Sequence, residues 1–217
     1  MILAKYKERV DLLLQVLPYV AKEKEFALKG GTAINLFERN MPRLSVDIDL
    51  HYLPIKERDK SLQEIEAALK RIKEDLEKYI AGIHVNLSKP KGTDTDLKLN
   101  CQLNRAQIKI EVNSITRGKI APERLMQINK EVQEKYGKFA AINVVSHGEL
   151  FGGKILAALD RQHPRDLFDV KILMDNEGID DNVRLGFITM LASHYKPIHE
   201  LLNPELKDQK EAFETQF

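Results

Sequence analysis

The chain has 217 residues, with 34 Lys and Arg against 33 Asp and Glu and a formal net charge of +1. That length suits one large domain or two small ones and can enclose a core, while the charge balance excludes a uniformly basic coat and leaves room only for a local basic face. Cys101 is the one cysteine, which excludes an internal disulfide and a cysteine-based zinc site; no apolar run approaches the roughly 20 residues that span a bilayer, no signal-peptide pattern opens the chain, and a reducing cytoplasm is the expected setting.

Residues 6–20 carry Val10, Leu13, Leu14 and Leu17 at spacings of three and four, which predicts an amphipathic helix ending near Pro18. The short apolar run 26–28 reads as a strand, closed by a tight loop at Gly30-Gly31. Thr32 is placed to cap a helix over 33–38, and Asn40, Met41 and Pro42 end it. Residues 44–53 alternate apolar and polar through their centre and predict a strand with one polar face. A long helix over 56–79 follows, with Leu62, Ile65, Leu69, Ile72 and Leu76 as its buried stripe. Strands are expected over 83–87, 97–103 and 107–112, with turns at Pro90-Lys91-Gly92 and Asn104-Arg105, and a further short strand over 142–145. Ser146 with Glu149 forms a capping box before a helix over 150–161. Pro164 suits the first position of a helix over 165–174, a third helix covers 180–193, and a fourth is expected over 203–217. The fold class is therefore α+β: a mixed sheet with helices over residues 1–145, then a helical region over 146–217 packing on it. That region ends without a helix stop, which leaves open that the chain is a piece of a longer protein.

Asp47 and Asp49 lie two apart on an expected strand, so both point to one face. Two carboxylates so placed repel unless a cation sits between them, and an oxygen-only ligand set suits Mg²⁺, which keeps waters and bridges to phosphate. Gly30-Gly31-Thr32 precedes them at a strand-to-helix junction, where glycine admits a close ligand and a helix start attracts phosphate. Glu111 offers a third carboxylate on a neighbouring strand, and Arg43 and Ser45 stand just ahead of Asp47, with the Ser45 hydroxyl able to reach a phosphate or a metal-bound water. Taken singly, each feature also has a plain structural explanation: a solvated strand face, a simple turn, a paired surface glutamate, an exposed serine.

Together, residues 28–33 (Leu-Lys-Gly-Gly-Thr-Ala) and 43–50 (Arg-Leu-Ser-Val-Asp-Ile-Asp-Leu) resemble the signature of polymerase-β-like nucleotidyltransferases. The Thr-Ala after the glycines and the Arg-x-Ser before the aspartates resemble the AbiEii/AbiGii toxin family in particular. Residues 109–112, 147–154, and Arg161 with 164–169 resemble the family's later motifs. The resemblance implies a transferase moving a nucleoside monophosphate from an NTP to an acceptor hydroxyl. In that scheme Asp47, Asp49 and Glu111 hold Mg²⁺ (or Mn²⁺), and Gly30, Gly31, Thr32, Arg43 and Ser45 meet the nucleotide. Lys154 reaches the triphosphate, with Arg161, Arg165, Asp166 and Asp169 in support; the aspartates have a purely structural alternative, since Asp is favoured in a helix's first turn.

The implied acceptor is tRNA, the role that of a toxin with a separate antitoxin, and no membrane is involved. An RNA acceptor calls for a basic surface, for which Lys130, Lys135, Lys138, Lys154, Arg161, Arg165 and Lys171 are the candidates, although acids are interleaved among them. Two alternatives stand beside this scheme: transfer to a small molecule or a protein side chain, and a catalytically silent nucleotide-binding relative. No nucleophilic triad or zinc-ligand spacing offers a rival chemistry. His51, two beyond Asp49, is read as a strand-end histidine.

Overall fold

A computed structural model of the chain describes residues 2–89 and 97–216. The predicted turn at Pro90-Lys91-Gly92 lies outside them. The chain forms two compact units, one of residues 1–119 and 123–144, the other of residues 120–122 and 145–217.

The first unit is built on a seven-stranded mixed sheet in the order β3-β4-β5-β2-β1-β7-β6. Its strands are β1 (Phe26–Lys29), β2 (Ile48–Tyr52), β3 (Ile83–Ser88), β4 (Lys98–Leu103), β5 (Ala106–Arg117), β6 (Arg124–Gln127) and β7 (Ala141–Val144). β2 runs parallel to β5 and antiparallel to β1, while β1 runs parallel to β7. One face of β2 (Ile48, Leu50, Tyr52) is fully buried. The Tyr52 hydroxyl donates to Glu64 at 2.5 Å, on the long helix α3 (Arg58–Tyr79), which places α3 over that face. The stripe Ile65, Leu69, Ile72 and Leu76 is buried as its spacing predicts. Leu62 is only half-buried; Ser61 is the buried residue there, its hydroxyl donating to the Glu57 carbonyl at 3.0 Å.

Helix α1 (Ile2–Val20) runs through Pro18 rather than stopping at it. There the proline removes one intrahelical donor and crowds the carbonyl four residues back, a cost set against the continuous buried stripe of Val10, Leu13, Leu14, Leu17 and Val20. Cys101 on β4 is buried, and burial pushes its thiol up to about 12. Two elements had no clear pattern in the sequence: β6, whose side chains are half-buried and exposed in turn, and the short helix α4 (Lys130–Tyr136), capped by the Asn129 side chain.

The second unit is helical. It comprises α5 (His147–Arg161), α6 (Pro164–Asn176), α7 (Asp181–Ala192), α8 (Ile198–Leu202) and α9 (Lys210–Gln216). The expected single helix over 203–217 is thus α9 alone; Pro204 follows the end of α8, and a proline disfavours helical backbone at the residue before it, Asn203, which takes φ −129° and ψ 63°. Ser146 caps α5 as predicted, accepting from the Glu149 N–H at 3.3 Å. The Glu149 carboxylate accepts from the Ser146 hydroxyl at 2.6 Å and from the Ile120 N–H at 3.1 Å, so residue 120 is tied into this unit. α5 and α7 approach closely enough that a Cβ built on Gly152 would lie 2.3 Å from the Phe187 nitrogen, and one on Gly186 would lie 2.1 Å from the Gly148 carbonyl oxygen.

Candidate functional site

β1 ends at Lys29, and the chain turns at once into helix, Gly30–Ala33 as α2 and then a π-helical stretch Ile34–Glu38. Gly30 takes φ +73°, a left-handed value glycine adopts without a Cβ penalty. A Cβ there would also lie 2.6 Å from Asp49 Oδ2. One on Gly31 would lie 2.7 Å from an Arg43 guanidinium nitrogen and 2.8 Å from Ser45 Oγ. The glycine pair therefore makes a cradle into which three polar side chains lean.

The segment before β2 departs from expectation. The strand begins at Ile48, so Ser45 and Asp47 sit in non-strand chain rather than on a strand face. Side chains from two helices hold that segment instead. Asn35, fully buried, donates to the Gly31 carbonyl at 2.7 Å and accepts from the Arg43 N–H at 3.2 Å. The Ser45 N–H donates to the Tyr6 hydroxyl oxygen at 3.3 Å. Thr32 does not cap a helix; its hydroxyl donates to the Asp47 carbonyl at 2.5 Å. Since that uses its only proton, the 3.1 Å contact between Thr32 Oγ1 and Ser45 Oγ has Ser45 as donor. Burial pushes the Tyr6 hydroxyl above its ordinary range, with the Ser45 hydrogen bond and the Arg43 charge opposing.

Asp49 pairs in register with Lys29 on β1 and with Glu111 on β5, and Glu111 pairs with Lys98 on β4. Residues in register share a face, so Lys29, Asp49, Glu111 and Lys98 form one row across four strands. Asp47 is exposed, and Asp49 and Glu111 are half-buried. Lys98 Nζ stands 3.8 Å from Glu111 Oε2. Burial pulls the Lys29 ammonium below the usual lysine range, with the Asp49 carboxylate opposing. Among the described residues no three His, Cys, Asp or Glu side chains stand close enough to hold a metal ion. Register sets Asp49 beside Glu111, whose carboxylate lies 3.8 Å from Lys98, and Asp47 stands just before the same strand as Asp49. The all-oxygen donors, the exposed Asp47 and the side-chain-free glycine cradle fit a hard cation carrying phosphate. His51 is buried two residues beyond Asp49 on β2, and its ring Nε2–H donates to the Gly118 carbonyl at 2.5 Å, a structural role.

In the second unit Lys154 is buried. Its ammonium lies 2.8 Å from Asp166 Oδ1 and 3.1 Å from Asp169 Oδ2, and Arg161 lies 2.8 Å from Asp166 Oδ2. Burial pushes the Asp166 carboxyl up, but the charge and hydrogen bond of Lys154, with Arg161 beyond, outweigh it and hold the group below the ordinary carboxylate range. The Arg165 N–H donates to the His163 ring, which caps α6. The basic set expected for RNA is dispersed. Lys130, Lys135 and Lys138 lie in the first unit, not the helical one. Lys138 pairs with Asp11 at 2.7 Å, Lys130 stands 3.8 Å from Glu134, and Lys171 pairs with Asp175. Lys154, being buried, adds nothing to a surface.

A mixed sheet carrying a glycine cradle, an aspartate pair and an adjacent carboxylate defines a nucleotidyltransferase-type fold. Its likeness to MenT4, a nucleotidyltransferase toxin from Mycobacterium tuberculosis H37Rv, spans 94% of this chain and 73% of that one, with a TM-score of 0.67 at 16% identity. A crystal structure from H. pylori matches over 92% of this chain and 83% of that one, with a TM-score of 0.50 at 17% identity. None of the curated protein sequences matches the chain. The family profile described as nucleotidyl transferase AbiEii toxin, type IV TA system, matches residues 11–217. The chain belongs to the AbiEii nucleotidyltransferase toxin family, and a type IV toxin–antitoxin family implies a separate antitoxin. Among the described residues no helix is long and apolar enough to cross a membrane.

Proposed function

We propose that the chain transfers a nucleoside monophosphate from an NTP to an acceptor hydroxyl, with tRNA as the acceptor, and that it does so in a cytoplasmic setting. The observation that carries this is the register of Asp49 beside Glu111, with Asp47 exposed at the entry to the same strand and the glycine pair packed against Asp49, Arg43 and Ser45. Asp47 and Asp49, with Glu111, would hold Mg²⁺ or Mn²⁺. When bound, the metal supplies neutralisation of phosphate charge and polarisation of the acceptor oxygen. The remaining work falls to positioning and fixed charge. Gly30 and Gly31 let a phosphate chain approach the backbone, and Arg43 brings a guanidinium to the same cradle. Ser45, whose proton is engaged by Thr32, presents lone pairs to a metal-bound water and donates to a phosphate only by turning away from Thr32. A role for Lys154 towards a triphosphate, with Arg161, Arg165, Asp166 and Asp169 in support, rests on the resemblance alone.

The pairing of Lys130, Lys138 and Lys171 with acids favours a second reading, transfer to a small molecule or a protein side chain. The test is incubation with Mg²⁺, each α-labelled NTP in turn and total tRNA, beside Asp47→Ala. Label entering tRNA with the wild type alone supports the first reading and names the base. Label in protein or a small product supports the second, and no label with any nucleotide overturns both.

A further inference from the structure

The row Lys29–Asp49–Glu111–Lys98 has a cation at each end, and the two ends differ. Lys98 has a partner, the Glu111 carboxylate at 3.8 Å. Lys29 is half-buried at the end of β1, and its ammonium makes no hydrogen bond or ion pair among the described residues; the opposing charge it feels is that of Asp49. A cation drawn out of water without hydrogen-bond partners is costly to hold, and one kept beside a candidate site calls for a ligand. The chain direction says which. Lys29 directly precedes Gly30, and the glycine pair beside it carries the Arg43 guanidinium and Ser45 hydroxyl, the other groups suited to an oxyanion. On the far side of Asp49, the Lys98 ammonium already faces the Glu111 carboxylate.

Resting on the proposed nucleotidyl transfer, we infer that Lys29 is a phosphate-binding residue that takes the triphosphate of the incoming nucleotide. The row then has a polarity: the triphosphate lies at the β1 end, beside Lys29 and the glycines, and the acceptor enters at the β5 end, beside Glu111. Lys29 makes charge-assisted hydrogen bonds to phosphate oxygens and takes no covalent part.

Titration calorimetry of the full chain with Mg²⁺ and the α,β-methylene analogue of each NTP tests this, together with thermal unfolding. Lys29→Met is expected to weaken the analogue that wild type binds at least tenfold, Lys29→Arg to restore affinity to within about threefold, and Lys98→Met to leave it within twofold. Because Lys29 lacks a partner in the free protein, Lys29→Met is also expected not to lower the unfolding temperature. Wild-type affinity in Lys29→Met, or an equal loss in Lys98→Met, overturns the assignment and leaves the transferase reading standing. A fall in unfolding temperature with unchanged affinity makes Lys29 a structural counter-ion and overturns it too. If the wild type binds none of the four analogues, the transferase reading falls and takes this assignment with it.

Discussion

Asn35 is fully buried between the glycine helix and the segment leading to Asp47, and both ends of its amide are engaged. Replacing it with Leu, of similar size, removes the hydrogen bonds that Asn35 makes to the Gly31 carbonyl and the Arg43 N–H, at a cost of about 1–3 kcal/mol. Asn35→Leu is expected to lower unfolding stability by that order and nucleotide incorporation more than tenfold, read by denaturant titration and the labelling assay. Gly30→Ala combines a left-handed φ with a Cβ 2.6 Å from Asp49 Oδ2, so it is expected to remove incorporation while the far-UV circular dichroism stays native. Neither Asn35 nor Tyr6 was legible in the sequence. An asparagine inside a helix and a tyrosine on an amphipathic stripe carry no local mark of what they hold, because their partners are backbone groups 8 and 39 residues away. Asp47, Asp49, Gly30 and Gly31 were legible because their spacing is itself the signal.

Among the elements, α5 and α7 depend on Gly148, Gly152 and Gly186. Alanine at Gly152 or Gly186 drives a Cβ into facing backbone, which cannot move aside as a side chain can. Overpacking of this kind costs about 1–3 kcal/mol or more. Gly152→Ala is expected to lower the midpoint of the second unit's unfolding, while Gly153→Ala, whose nearest such neighbour is Met190 Cγ at 4.0 Å, is expected to be near neutral. Periodicity revealed the long helices and the strands with one buried face. It missed α4, too short for a pattern to repeat, and β6, which offers the sheet no buried face. It also extended β2 backwards over residues 44–47, because alternating apolar and polar residues look the same in a strand as in extended chain tied down by Thr32, Asn35 and Tyr6.

For the whole molecule, acid response follows from carboxylates whose folded range is depressed. Asp166, held down chiefly by Lys154 against the opposing effect of burial, and Asp180, held down by the Val183 N–H at the start of α7, both lie in the second unit. A depressed carboxylate contributes stability that is present above its unfolded pKa of about 3.9 and is lost as pH falls through its lower folded value. Denaturant titrations between pH 7 and pH 3 are therefore expected to show wild type well above Asp166→Asn near neutrality and the gap closing below about pH 4. A gap that does not narrow at all between about pH 5 and pH 3 would mean that packing, and not charge, sets the difference.

Cys101 lies buried on the fourth strand, with its thiol pushed up to about 12, and it is the one cysteine in the chain. Only the thiolate reacts with maleimides at useful rates, so the native protein is expected to stay unlabelled at pH 7, as intact mass would show. A cysteine placed at Lys60 in the first unit and another at Asp181 in the second, both exposed, would then be the only sites to take a dye. Fluorescence energy transfer between such a pair would follow the separation of the two units as nucleotide and RNA are added, on a protein that needs no prior cysteine removal.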